Sequence, residues 1–321
     1  MARILVAGAG AIGSVFGGLL AHSGHDVTLL GRAAHMQAVK RRGLVVDGIW
    51  GRYHCWKLEA VTAPVDCGTS FDAVLVTVKS YDTPVIAEVA AQKVCADGQV
   101  ISLQNGLGNL EVLARHIDPR RLFGGRVIFG ARMVEPGAVE VTVCAEPVRI
   151  GPYVPAEQKS KAAAQQWASI FTEAGIRTEV CDSIEAELWA KAFYNAALNP
   201  LGALLGCNYG WLAENLDTRA IMNGVIEEAF AVAVAEKVPL RWASAEAYRA
   251  EFYSSLVPRT AAHRSSMLQD LEQGKRTEVD AINGEVWRRG ERHGVPTPLN
   301  ALLTRLIRAA TARSQKRVGG P

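Results

Sequence analysis

Lysine and two asparagines recur at four-residue steps in the segment Lys191-Ala-Phe-Tyr-Asn195-Ala-Ala-Leu-Asn199-Pro200. On an α-helix each step of four turns the side chain by only about 40°, so one ammonium and two carboxamides share a face. The residues between them are almost wholly apolar, and a polar stripe on such a helix is costly to bury unless it meets partners or a ligand. An ammonium beside a carbonyl oxygen can stabilise the negative charge that develops as the carbon accepts hydride, and can then deliver the proton. Lys191 is thus a candidate general acid. The competing reading has Lys191 snorkelling to water and the asparagines capping neighbouring helices. Pro200 lacks a backbone donor and is expected to bend or end the helix.

A donor of hydride requires a nucleotide site, and the N-terminus offers one in Gly8-Ala9-Gly10-Ala11-Ile12-Gly13. The pattern alone is common. Its context is specific: the apolar strand Arg3–Ala7 precedes it, a helical run Ser14–Ser23 follows, and a second strand Val27–Leu30 closes a βαβ unit. Gly8 permits the tight turn, Gly10 lets backbone approach a pyrophosphate, and Gly13 lets the helix pack close to the strand. In NAD-binding members of this Rossmann-type fold, the second strand ends in an acid that binds the ribose 2′-OH. Here it runs into Gly31-Arg32, and a guanidinium suits a 2′-phosphate, so NADP(H) is the expected cofactor. Lys79 and Asn105 follow the strands Phe71–Val78 and Gly98–Leu103, at the strand ends where open α/β sheets bind ligands. Either could equally be a loop residue satisfying local backbone groups. Glu278 is a candidate partner for a ribose, a substrate hydroxyl or Lys191, or else a solvated helix residue. His22 and His25 lack a third ligand at useful spacing, so no metal site is expected.

The elements that must position these residues fall into two sets. Strands and helices alternate in the first half, as a parallel sheet requires, down to a last short strand Arg177–Cys181. From Ile184 onward the pattern is helical, with a run from Ser265 interrupted at Gly274-Lys275 and resumed from Arg276. The fold class is therefore α/β, an N-terminal Rossmann-type parallel-sheet domain over 1–182 followed by an all-α domain over 183–321 that carries the catalytic residues. A length of 321 residues accommodates two cores. The apolar fraction of 49%, charged fraction of 21% and net charge of +3 exclude a disordered chain and give no electrostatic footprint for nucleic acid. Two uncharged stretches, Ile4–Ala21 and Ala192–Ala213, carry glycines or asparagines and a proline and do not read as lipid-facing. Only Met1 and Ala2 precede the first strand, which begins at Arg3, so no signal peptide is expected. Six cysteines spread singly suit reduced thiols in a cytoplasmic protein. The basic stretch Arg305–Arg317 ends in Gly-Gly-Pro, expected to fray.

Taken together, the glycine loop, Gly31-Arg32, Val78-Lys79-Ser80, Gln104-Asn105-Gly106, Glu187 through Pro200-Leu201, Ser265–Asp270 and Thr277–Gly284 resemble the ketopantoate reductase (2-dehydropantoate 2-reductase) family over nearly the whole chain. The resemblance implies an NADPH-dependent reductase that converts 2-dehydropantoate to pantoate in pantothenate biosynthesis, with its site in the cleft between a Rossmann domain and a helical domain. It implies that Lys191 is the general acid, with Glu278 beside it. It gives Asn195, Asn199 and Ser266 substrate-binding roles and sets Asn105 between substrate and cofactor. The expected cofactor contacts are the Gly8–Gly13 loop, Arg32, Lys79, Asn105, Ala131 and Glu278. Two positions depart from the family pattern, which has asparagine where this chain has Tyr209 and His263, and both are expected to line or flank the substrate pocket. A reductase of another 2-oxo acid or carbonyl is the alternative, and a non-catalytic NADP-binding sensor a second. The expected partner is a small-molecule 2-oxo acid rather than nucleic acid or membrane, with a homodimer as an admissible assembly.

Overall fold

The computed structural model of the chain describes residues 1–154 and 158–318, and the terminal Gly319-Gly320-Pro321 lies outside them. Two compact units are present, one of residues 1–105 and 109–184, the other of residues 106–108 and 185–321.

The first unit runs β1 (Arg3–Ala7), α1 (Ala11–His22), β2 (Asp26–Leu30), α2 (Ala33–Arg42), β3 (Leu44–Gly48), β4 (Tyr53–Cys55), β5 (Glu59–Val61), β6 (Phe71–Val76), α3 (Thr83–Lys93), β7 (Val94–Ser102), α4 (Asn109–Leu113), β8 (Leu122–Arg126), β9 (Phe129–Glu135), β10 (Ala138–Cys144), β11 (Val148–Pro152), α5 (Gln158–Glu173) and β12 (Thr178–Val180). Eight strands form one sheet in the order β12-β11-β8-β7-β6-β1-β2-β5, parallel except where β11 meets β8. Its central strands are continuous apolar runs because both faces are covered: Ile4, Leu5, Val6 and Ala7 are fully buried.

A second sheet, β4-β3-β10-β9, is absent from the expectation of simple β/α alternation. Its hairpin turns at Pro136-Gly137, and along β10 the buried Val139 and Val141 alternate with Glu140 and the exposed Thr142. Helix α1 lies between the two sheets, and its adjacent glycines serve one sheet each. A Cβ on Gly17 would strike Leu29 at 2.4 Å, and one on Gly18 would strike Val46 at 2.7 Å. The glycine content that makes Ile4–Ala21 unlike a membrane span is thus what admits a helix between two sheets.

The second unit comprises α6 (Ile184–Leu205), α7 (Tyr209–Glu214), α8 (Leu216–Ala235), α9 (Ala245–Glu251), α10 (Ser266–Glu272), α11 (Asn283–His293) and α12 (Pro298–Val318). Its core centres on Trp189, Phe193, Phe230, Tyr248 and Phe252. One expectation is corrected here. The helix expected to resume at Arg276 does not; that stretch is loop with one 3-10 turn, Val279–Ala281. Of the two outcomes expected at Pro200, a bend or an end, α6 does not end there: it continues to Leu205. The carbonyl that proline leaves without a helical donor is that of Ala196, and the fully buried Asn283 supplies the substitute, its Nδ2 donating to Ala196 O at 3.0 Å. The same amide nitrogen donates to Asn300 Oδ1, Asn300 donates to Glu228, and the Glu228 carboxylate accepts the Leu299 and Asn300 backbone N–H groups at the start of α12. A chain of polar groups therefore pins α6, α11, α12 and α8 around the proline.

No described helix is long and apolar enough to cross a membrane.

Candidate active site

In the α/β unit, strand order reverses at β1, which has β2 on one side and β6 on the other, and that switch point is where such sheets bind ligands. The glycine loop leaves β1 there. Gly8 has φ +114°, and a Cβ on it would meet the Val78 nitrogen at 2.5 Å, so no other residue fits the turn. Gly13 faces inward: a Cβ would meet Gly8 O at 2.4 Å and Thr77 Oγ1 at 2.6 Å. Gly10 is open, with nothing nearer to its added Cβ than Gly8 O at 3.9 Å. Close turn, close packing and open approach thus fall on the three glycines as a pyrophosphate cradle requires. Gly8 and Ala9 donate their N–H groups to Leu30 O, fastening the loop to the end of β2. Ala11 and Ile12 open α1, which has no side-chain cap and no acid in its first turn. An anion is the natural complement of those N–H groups.

Arg32 is exposed at the N-cap of α2, one residue beyond Gly31, and no acid follows β2. These residues fit a phosphorylated dinucleotide. Lys79 sits just past β6, which stops at Val76, two residues earlier than expected because Thr77 turns to bond the glycine loop, donating from Oγ1 to Gly8 O at 2.8 Å. Asn105 follows β7, and its carbonyl accepts from the Asn109 side chain, itself held by Thr83. The structure brings the glycine loop, the Thr77–Lys79 turn and the Gln104-Asn105 segment to one edge of the sheet, since Gln104 Nε2 donates to Val78 O. Ala131 lies in β9 of the four-stranded sheet, paired with Val141 of β10.

Sequence reading missed a supporting residue behind the loop. His35 is buried, and the Gly137 N–H donates to its Nδ1 at 2.9 Å. An N–H can only donate, so the ring proton is on Nε2, which donates to Ser14 Oγ at 2.9 Å. The imidazole ties α1 to the β9–β10 turn, and burial lowers its pKa.

In the helical unit, α6 carries Lys191, Asn195 and Asn199 at successive turns. Asn195 is 8% exposed and Asn199 5%. Neither caps a helix. Among the described residues the Asn195 side chain has no hydrogen-bond partner, and the Asn199 side chain has only one, the Tyr209 hydroxyl, which donates to its Oδ1 at 2.7 Å. Glu278 is buried, ahead of the 3-10 turn, which rules out a solvated helix position. Of the two serines, Ser265 is buried: it caps α10 by accepting from Leu268 N and donates to Asn199 O, while Ser266 is exposed. Tyr209 is 3% exposed, packed between Tyr194 and His263 with ring centroids 5.8 and 5.2 Å away. Gly106 belongs to this unit, where its φ of +82° and close approach to Ala281 O exclude a side chain.

The family described as "Ketopantoate reductase PanE/ApbA" matches residues 4–155, and its C-terminal counterpart matches residues 183–311. The chain belongs to this family. It is accordingly an oxidoreductase acting on a carbonyl/alcohol pair. The 2-dehydropantoate 2-reductase of Aquifex aeolicus is 37% identical over 307 residues, 96% of either chain, and that of Pyrococcus horikoshii 34% identical over 312 residues, covering 96% of this chain and 97% of its own. Among solved structures, a family ketopantoate reductase from Ralstonia eutropha superposes with a TM-score of 0.86 at 33% identity, covering 98% of this chain and all of its own. A D-mandelate dehydrogenase in ternary complex with NADH and anilino(oxo)acetate superposes with a TM-score of 0.88 at 27% identity over the same shares.

Proposed function

We propose that this protein reduces a 2-oxo acid with NADPH, 2-dehydropantoate being the foremost substrate, and that Lys191 protonates the carbonyl oxygen. The observation that carries the reading is the α6 face: a lysine in register with two nine-tenths-buried asparagines whose amide nitrogens have no acceptor among the described residues. Amide nitrogens without a protein acceptor are available to a ligand, and a carboxylate with an adjacent carbonyl supplies acceptors for them. A reduced nicotinamide nucleotide supplies the hydride when bound. Gly8, Gly10 and Gly13 accommodate its pyrophosphate, Arg32 neutralises the 2′-phosphate, and Lys79 and Asn105 flank it. Asn195 and Asn199 hold the substrate carboxylate, Ser266 assists from α10, and Glu278 orients the Lys191 ammonium. Lys191 then stabilises the developing alkoxide and gives up its proton to that oxygen. Six free thiols suit a cytoplasmic setting.

A bulkier aromatic 2-oxo acid is the second reading. The likeness to a D-mandelate dehydrogenase holding anilino(oxo)acetate favours it, as do the aromatic Tyr209 and His263 where the family pattern has asparagine.

Lys191→Ala is the test. The variant is expected to fold, to bind NADPH as the parent does in fluorescence titration, and to lose about 10²–10⁴ in kcat, the usual contribution of a positioned general acid. Unchanged turnover would remove the lysine from the chemistry.

A further inference from the structure

Asn199 offers a substrate one oxygen acceptor and two N–H donors, and which of these faces the ligand decides what it can recognise. The Tyr209 hydroxyl occupies Oδ1 at 2.7 Å. The Asn199 backbone carbonyl is likewise taken, by Ser265 Oγ at 3.4 Å. Tyr209 itself has little freedom to leave. Its N–H donates to His263 O and the Gly210 N–H to Ala261 O, locking the start of α7 to the 261–263 segment. Its ring stands edge-on to Tyr194 at 82° and packs on the His263 ring.

We infer that Tyr209 is a positioning residue that holds the Asn199 carboxamide by its oxygen and leaves the Nδ2 donors to the substrate, so that this side chain selects the carboxylate of a 2-oxo acid. The inference rests on the reading of the chain as a 2-oxo acid reductase. Burial keeps the phenol protonated, its pKa lying well above the ordinary tyrosine value, so the hydroxyl remains a donor across the working pH range. With the phenol donating to Oδ1, the two Nδ2 hydrogens of Asn199 are left for a ligand. Where the family pattern has asparagine, this chain has a rigid donor whose influence reaches the substrate through Asn199.

The experiment is a double-mutant cycle on steady-state reduction of 2-dehydropantoate by NADPH, using Tyr209→Phe, Asn199→Ala and the double variant. Tyr209→Phe keeps the ring and loses the donor. It is expected to raise KM about tenfold, with kcat within about threefold and NADPH affinity unchanged. In the Asn199→Ala background the same change is expected to alter KM by less than about twofold, because the group it acts through is gone. Multiplying effects would overturn the inference, as would an unchanged KM in Tyr209→Phe. Asn199→Asp adds an independent arm: the new carboxylate can keep the tyrosine bond but places an oxygen where Nδ2 stood, and KM is expected to rise about a hundredfold or more. An unchanged KM there contradicts the donor role even if Tyr209→Phe fails to fold. A parent enzyme that reduces no 2-oxo acid would instead refute the functional reading itself.

Discussion

In the proposed reading, cofactor choice falls to Arg32, a single guanidinium just past the end of β2. A 2′-phosphate beside it gains charge-assisted bonds, and an acid at the same place would repel that phosphate. Arg32→Ala is expected to raise the KM for NADPH by about tenfold to a hundredfold and leave that for NADH nearly unchanged, as paired steady-state titrations would show. Equal losses with the two nucleotides would make Arg32 a surface residue. The types and spacing of Gly8, Gly10, Gly13, Lys191, Asn195 and Asn199 were legible in the sequence because each obeys a local rule, a turn, a close approach or a helical period. The Tyr209–Asn199 hydrogen bond was not legible. It joins residues whose relation depends on how α7 packs beside α6, and nothing in their spacing encodes an amide orientation.

At the scale of elements, α6 carries the proposed acid Lys191 with Asn195 and Asn199, and Pro200 is its weak point. Proline in a helix interior forfeits one hydrogen bond, yet the helix continues because Asn283, 83 residues further along the chain, donates to Ala196 O. Asn283→Leu is expected to lower stability by about 1–3 kcal/mol in urea unfolding, the cost of an orphaned buried carbonyl. Pro200→Ala returns a backbone donor to that carbonyl, so the loss should shrink in its background; additive losses would dissociate the asparagine from the proline. The sequence announces a bend or an end at Pro200, and which of them the helix avoids is decided by tertiary structure: it does not end. The four-stranded sheet escaped notice for a related reason. Its strands β3 and β4 are separated from β9 and β10 by four strands of the other sheet, so their pairing is non-local, although Pro136-Gly137 between alternating valines is a readable hairpin signal. The βαβ unit of β1, α1 and β2 was readable because all its contacts are close in sequence.

Across the whole molecule, burial lowers the pKa of three histidines: His25 and His35 in the α/β unit, and His263 in the helical unit. A histidine whose folded pKa lies below its unfolded value takes up protons more readily when unfolded. Its contribution is complete above the unfolded pKa, about 6.5, and is lost as pH falls from there toward the folded value. His35 has the most to lose, since protonated Nδ1 would face the Gly137 N–H with a second donor. The urea midpoint is therefore expected to fall between about pH 6.5 and pH 5, and His35→Gln should flatten that slope. A midpoint independent of pH over that range would show that the buried imidazoles are not coupled to folding. Catalysis is the other property of the assembled chain. The direct measurement is kcat/KM for a set of 2-oxo acids, 2-dehydropantoate and an aromatic 2-oxo acid among them, each with NADPH and with NADH. At least one, 2-dehydropantoate foremost, is expected to be reduced at about 10⁴ M⁻¹s⁻¹ or more with NADPH and at least about tenfold less with NADH; no NADPH oxidation with any 2-oxo acid would refute the 2-oxo acid reading, and equal use of the two nucleotides the role of Arg32.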